Sequence, residues 1–169
     1  MNHPIPLAQD EEFQAALRGE DELGLVVRAH IHVEASLLDL IAHLVESQKH
    51  IDKMNLEYSQ RVRLAVALGL QDQYESPLLA LGTLRNAFAH RPGTKLSKDR
   101  VDALYSSLSP ASKEIVQNSH QRARRKRPEA KVPAFSRLSP RDQFILIAVA
   151  IRALLQVAIK ESKALRASA

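Results

Sequence analysis

Residues 84–90 read LRNAFAH, followed by RPG. Arg85, Asn86 and His90 are residue types that together could act on a phosphodiester. A histidine, with an unperturbed pKa of about 6.5, moves protons near neutral pH. An arginine offers a permanently charged, planar fork to an oxyanion. Asn86 could hold the phosphate or orient His90. A structural alternative stands beside each role. Arg85 could pair with Glu34, an acid that interrupts an apolar stripe and needs a partner. His90 could cap the last carbonyls of its helix, and Asn86 could bridge the turn that follows.

Two other groups of side chains have chemical potential. His43, Glu46 and His50 fall at i, i+3 and i+7, one face of a continuous helix, with ligand types that suit a divalent metal. Solvated His and Glu are common on helix surfaces, and no metal or cofactor is expected. His30, His32 and Glu34 alternate by two and diverge on a helix, so they do not chelate together. His30 lies on an apolar stripe and reads as a core or interface histidine. Phosphate-loop, dinucleotide and zinc-protease motifs are absent.

The second feature is charge. Residues 118–141 carry eight Lys or Arg against the single acid Glu129, a local +7, while the rest of the chain sums to −2. Its densest part is Arg122, Arg124, Arg125, Lys126 and Arg127, five basic residues in six. Such a run could follow a nucleic-acid backbone with strong salt dependence. It could equally be a solvated helix end that complements the helix dipole. Phe135 is the one aromatic in this segment, so stacking platforms for single-stranded bases are not indicated. No helix-turn-helix is evident.

These residues must be positioned by helices. From Glu22 to Gln48 two stripes run at spacings of three and four. One is Val26, His30, Val33, Leu37, Leu40 and Leu44; the other is Val27, Ile31, Glu34, Leu38, Ile41 and Val45. The pattern predicts a long amphipathic helix with a wide buried face. A second helix is expected over 56–68, ended by Gly69 at the position after the cap, with Leu70 making the accompanying apolar contact. Ser76-Pro77, Ser109-Pro110 and Ser139-Pro140 read as helix starts, with Ser as cap and Pro at the first helical position. Ser97 reads as another cap. The helix from Pro77 carries Leu78, Leu81, Leu84 and Phe88 on its core side. It must end near His90, because Arg91 precedes Pro92 and Gly93 follows. On a continuous helix Arg85 and His90 then point about 140° apart. A second copy of the chain, or fraying of the helix end, would be needed to bring them to one atom.

No stretch alternates at strand period, so the fold class is all-α, a bundle of five or six helices in a single domain over residues 1–169. Residues 1–20 are expected to be an N-terminal arm and 127–138 a loop. The chain has no Cys, which excludes disulfides and thiolate metal sites. No secretory signal is recognisable at the N-terminus. The apolar run 144–159 is interrupted by Arg152 and Gln156, which fits a core helix better than a membrane span. A cytoplasmic location is expected.

The stretch RVRLAVALGLQDQYESPLLALGTLRNAFAH, residues 61–90, resembles the signature region of the HEPN superfamily of helical domains, in particular the branch containing the mannitol operon repressor. That pattern has a basic-apolar helix ending in ALGL, a short connector, and a helix ending in RN-x-FAH. Arg85, the polar Asn86 and His90, with four residues between Arg and His, match it, and the long first helix with an inward acid at Glu34 is similar. The resemblance implies a HEPN-like bundle that forms a homodimer. In catalytic members it implies a metal-independent endoribonuclease, toxin-like, with Arg85, Asn86 and His90 of two chains lining one cleft and Glu34 in support. In repressor-like members it implies a non-catalytic transcriptional regulator or interaction module with a regulatory protein as partner, whereas an antitoxin is the partner that the toxin-like type implies. RNA or another nucleic acid is the expected ligand of the first type.

Overall fold

A computed structural model of the chain describes residues 8–126 and 133–167, and among these no strand occurs. Eight α-helices follow in order: α1 Ala8–Arg18, α2 Glu22–Leu44, α3 Gln48–Asp52, α4 Tyr58–Ala67, α5 Glu75–His90, α6 Lys98–Ser107, α7 Pro110–Lys126 and α8 Pro140–Ala167. Short 3₁₀ turns at Asp72–Tyr74 and Phe135–Arg137 precede α5 and α8. The protein is an all-α helical bundle. It has two more α-helices among the described residues than the six read from sequence, α1 and the five-residue α3.

The bundle is built around α2 and α8, which pack along one another. Leu25, Val26, Ala29, Val33, Leu37 and Ile41 of α2 are fully buried, as are Phe144, Ile147 and Ala148 of α8. Removing each of the Val, Leu, Ile and Phe side chains among these from water stabilises the fold by about 1.5–3 kcal/mol. Then α4 and α5 cover one side of α2, and α6 and α7 cover α8. Pro140–Ala164 is long and apolar enough to cross a membrane by composition, but 56% of its most apolar window is buried inside the bundle, so its apolar surface already has partners.

Local signals explain most boundaries. Asp21 caps α2, its Oδ1 accepting from Gly24 N at 2.7 Å. The end of α4 is a two-bond helix stop, with Gly69 N donating to Val66 O at 3.0 Å and Leu70 N to Ala65 O at 2.9 Å. Gly69 takes φ +115°, the left-handed region where a β-carbon is strained, and Leu70 is buried beside it. Ser109 and Ser139 cap as expected, accepting from Ser112 N and Asp142 N at 3.2 and 3.1 Å. Ser97 sits at the cap position of α6 without a side-chain cap bond.

Four expectations change. Ser76 is not a cap: the 3₁₀ turn feeds directly into α5, so Ser76 and Pro77 lie within its first turn, where the missing proline amide is still tolerated. The arm expected over 1–20 contains α1 from Ala8, docked through buried Phe13 and Leu17. The guanidinium of Arg141 holds its end, Nη2 donating to Arg18 O at 3.0 Å and Glu20 O at 2.5 Å, with Leu17 O at 3.4 Å. Next, α2 stops at Leu44 instead of running to Gln48, because Val45 turns extended (φ −98°, ψ 153°) and its carbonyl accepts from Arg166 Nη2 at 2.8 Å. Last, the buried face of α2 is narrower than expected. The stripe from Val26 is covered, but on the other Ile31 is 57% exposed and Val27, Glu34 and Leu38 are half-buried. Of the expected loop, residues 127–132 lie outside the described residues, and Phe135–Arg137 is the 3₁₀ turn.

Candidate functional site

The helix that carries LRNAFAH stays regular to its last residue. Leu78, Leu81, Leu84 and Phe88 of α5 are buried, which fixes its rotation. Arg91 leaves the helix extended, and its N–H still donates to Ala87 O at 3.2 Å. Thr94 Oγ1 then lies 3.1 Å from Ala87 O and 2.7 Å from Arg91 O, while Gly93 turns the chain at φ +78°. Thr94, and not His90, therefore closes the end of α5. The His90 ring is exposed and makes no hydrogen bond or ion pair among the described residues.

Asn86 is exposed and Arg85 half-buried, with Arg85 Nη1 donating to Asn86 Oδ1 at 2.9 Å. Since α5 is continuous from Arg85 to His90, the two diverge within one chain by the angle a helix imposes. Arg85 does not take Glu34 as its partner either. Glu34 Oε1 accepts from Arg61 Nη1 at 2.6 Å, an ion pair from α2 to α4 whose side chains are 22% and 29% exposed.

Arg85 lies instead near a cluster where α2, α4 and α5 meet, close enough for its charge to act on His30. His30, one turn before Glu34 on α2, is 2% exposed, and its ring lies 4.3 Å from that of Tyr58 on α4. Tyr58 Oη donates to Leu78 O at 3.0 Å. Gly82 of α5 makes this possible, since a β-carbon there would lie 2.7 Å from the Tyr58 ring. Arg85 is one turn further along the same face of α5. His30 Nδ1 faces Glu34 Oε2 at 3.7 Å, beyond hydrogen-bond range, and is buried without a hydrogen-bond partner. Burial lowers the His30 pKa, Glu34 opposes that shift, and the positive charge of Arg85 adds to it. Burial and, secondarily, Glu34 push the Tyr58 phenol well above its ordinary value. Both rings are therefore neutral near pH 7.

Tyr58 and Arg61 had no signal of their own in the sequence, because their importance comes from contact across helices. The one local sign was the i, i+4 spacing of His30 and Glu34, which puts an imidazole and a carboxylate on one face; of the three residues expected to diverge, only His32 points away from the other two.

The other sequence candidates lie elsewhere. Arg122, Arg124 and Arg125 are exposed at the end of α7, a helix that packs on α8, whereas α5 packs on α2, α4 and α6. The side chain of Lys126 and the whole of Arg127 lie outside the described residues. The turn at Val45 separates His43 from Glu46 and His50, so the continuous face their spacing assumed does not form. Among the described residues no three His, Asp or Glu side chains gather as a metal site. A cavity of about 290 Å³ opens beside the ends of α2 and α8, lined in part by His43, Leu70, Tyr74, Glu161 and Arg166. None of Arg85, Asn86 and His90 borders it.

No family model matches the chain, and no curated protein or solved structure matches it.

Proposed function

We propose that the protein is a HEPN-like regulator acting on nucleic acid in the cytoplasm, and in its most specific form a metal-independent endoribonuclease. Two copies would meet so that Arg85, Asn86 and His90 of each line one cleft, with Glu34 holding its floor through Arg61. The observation that carries this reading is the state of His90. It sits exposed in the last turn of α5, has no partner among the described residues, and does not perform the capping role its position suggests. An exposed apolar ridge, Leu23 and Ile31 with half-buried Val27 between them, runs along α2 toward Glu34 and gives a second copy a surface to cover.

The chemistry uses the substrate's own 2′-hydroxyl. One imidazole accepts the 2′ proton as that oxygen attacks phosphorus, and the protonated imidazole of the second copy donates to the departing 5′ oxygen. Arg85 stabilises the charge that builds on the phosphorane oxygens. The products are a 2′,3′-cyclic phosphate and a free 5′-hydroxyl, and no metal or cofactor takes part. Arg122, Arg124, Arg125, Lys126 and Arg127 would supply non-specific backbone attraction.

The test is incubation of the purified protein with total RNA in EDTA beside the His90→Ala variant. Cleavage by the wild type alone, with cyclic-phosphate ends, supports the nuclease reading. Intact RNA with both folded proteins overturns it. A second reading, a non-catalytic regulator resembling the mannitol repressor with a regulatory protein as partner, is favoured by the separation of Arg85 from His90 within one chain. It predicts partner binding that survives His90→Ala.

A further inference from the structure

The cavity of about 290 Å³ beside the ends of α2 and α8 takes no part in the arrangement of Arg85, Asn86 and His90. Three stretches of chain line it: the end of α2, the connector between α4 and α5, and α8 from Leu154 to Arg166. Its volume falls at the lower end of small-molecule sites, about 300–1,000 Å³, which suits a compact ligand.

The lining changes character along α8. Leu40, Leu70 and Leu154, one from each stretch, are buried and make an apolar floor with half-buried Ala158. Leu154, Ala158, Ser162 and Arg166 recur every four residues, so one side of α8 leads from that floor to a charged rim. At the rim Arg166 reaches over to the end of α2, its Nη2 donating to Val45 O at 2.8 Å.

Two opposite charges therefore border one apolar cavity without neutralising each other. Glu161 makes no ion pair or hydrogen bond among the described residues, and the one bond of Arg166 goes to an uncharged carbonyl. The Tyr74 hydroxyl, on the connector, has no hydrogen bond there either. Burial, and after it the Glu161 charge, holds the Tyr74 phenol above its ordinary pKa, so it remains a neutral O–H. A simple anion entering this cavity meets Glu161, and a simple cation meets Arg166. A ligand that carries both charges beside an apolar group answers all three parts of the lining.

We propose that the cavity binds a free α-amino acid with an aliphatic side chain of leucine size. Its ammonium donates to Glu161, its carboxylate accepts from Arg166 and Tyr74 Oη, and its side chain lies on Leu40, Leu70 and Leu154. Tyr74 immediately precedes α5, and His90 is the last residue of that helix. The bound amino acid thus ties down the connector at the far end of the helix that carries LRNAFAH.

This inference holds whatever LRNAFAH does, and its test uses the full chain without RNA. Calorimetric titration with L-leucine is run beside L-leucinamide, which lacks the carboxylate, N-acetyl-L-leucine, which lacks the ammonium, and glycine, which lacks the side chain. The expected result is saturable binding of leucine, with each analogue weaker by about tenfold or more. Glu161→Gln and Arg166→Gln, both at exposed positions that tolerate change, each weaken leucine about tenfold. Glu161→Gln also removes the preference over N-acetyl-leucine, and Arg166→Gln the preference over leucinamide. Ala158→Met fills the cavity without altering charge and abolishes binding. Leucinamide as tight as leucine would assign the cavity to a cation such as a peptide N-terminus, and N-acetyl-leucine as tight to a plain carboxylate. Either result overturns the proposal, as does the absence of saturable leucine binding or binding that all three variants leave unchanged.

Discussion

Gly82 lies directly under the Tyr58 ring, so close that a β-carbon would sit 2.7 Å from two ring carbons. Helix propensity alone favours Ala over Gly by about 1 kcal/mol inside α5. The clash with a ring that Leu78 and His30 hold in place outweighs it. We expect Gly82→Ala to lower stability by about 1–3 kcal/mol in urea unfolding. In a Tyr58→Leu background, where the ring is gone, the same change should be neutral or stabilising. Equal effects in both backgrounds would show that the contact is not what requires glycine here.

The ion pair between Arg61 and Glu34 invites a double-mutant cycle. Each side chain is partly exposed, which screens the attraction, yet removing Arg61 leaves Glu34 beside the neutral His30. Arg61→Met should cost about 1–3 kcal/mol. Adding Glu34→Met should return most of that loss. Additivity of the two single changes within roughly 0.5 kcal/mol would mean the pair contributes nothing to the fold.

Acid should weaken the protein through two histidines. Burial lowers the pKa of His30 with help from Arg85, and burial lowers that of His32 with help from Arg152 and Arg28. The native rings are neutral, while the unfolded chain binds protons from about pH 6.5 downward. Stability contributed by these rings is therefore complete above that value and is lost as pH falls through each lowered native pKa. Urea midpoints measured across this range should fall on the acid side. His32→Gln should flatten part of that fall, and an unchanged acid limb in this variant would remove His32 from the account.

Arg141 should govern how firmly α1 is attached. Its guanidinium reaches the carbonyls of Arg18 and Glu20 across α8, and Phe13 docks beneath Arg152, 5.0 Å from the ring centre, and beside His32. Arg141→Met keeps the stem and removes bonds from a charged donor, each worth about 1.5–3 kcal/mol. Amide hydrogen exchange should rise in residues 12–20 and stay unchanged in α4 and α5. Uniform acceleration across the bundle would mean that α1 opens only with global unfolding.

The sequence showed chain endings better than chain meetings. Proline at 92 placed the end of α5, Gly69 with Leu70 placed the end of α4, and serines 109 and 139 placed two helix starts, because each signal acts through its own neighbours. The first helix escaped notice since Phe13 and Leu17 are too few to make a stripe. The break at Val45 escaped because its stabilising bond comes from Arg166, far along the chain. The same holds for the candidate site. Arg85, Asn86 and His90 were visible as a spacing, but the partner of Glu34 proved to be Arg61, a choice made by how α4 lies on α2. Thr94 displaced His90 from the capping role for a similar reason, as the turn after Gly93 folds it back.

The pairing of α2 with α8 has a consequence for synthesis on the ribosome. The apolar stripe of α2 is complete once Leu44 is made, but the helix that covers it begins at Pro140. At typical elongation rates of about 5–20 residues per second, that stripe waits on the order of 5–20 s for its partner. During that interval α1, α4 and α5 cover only part of α2, and the face that α8 will take stays an open greasy surface, the kind of segment that holding chaperones bind.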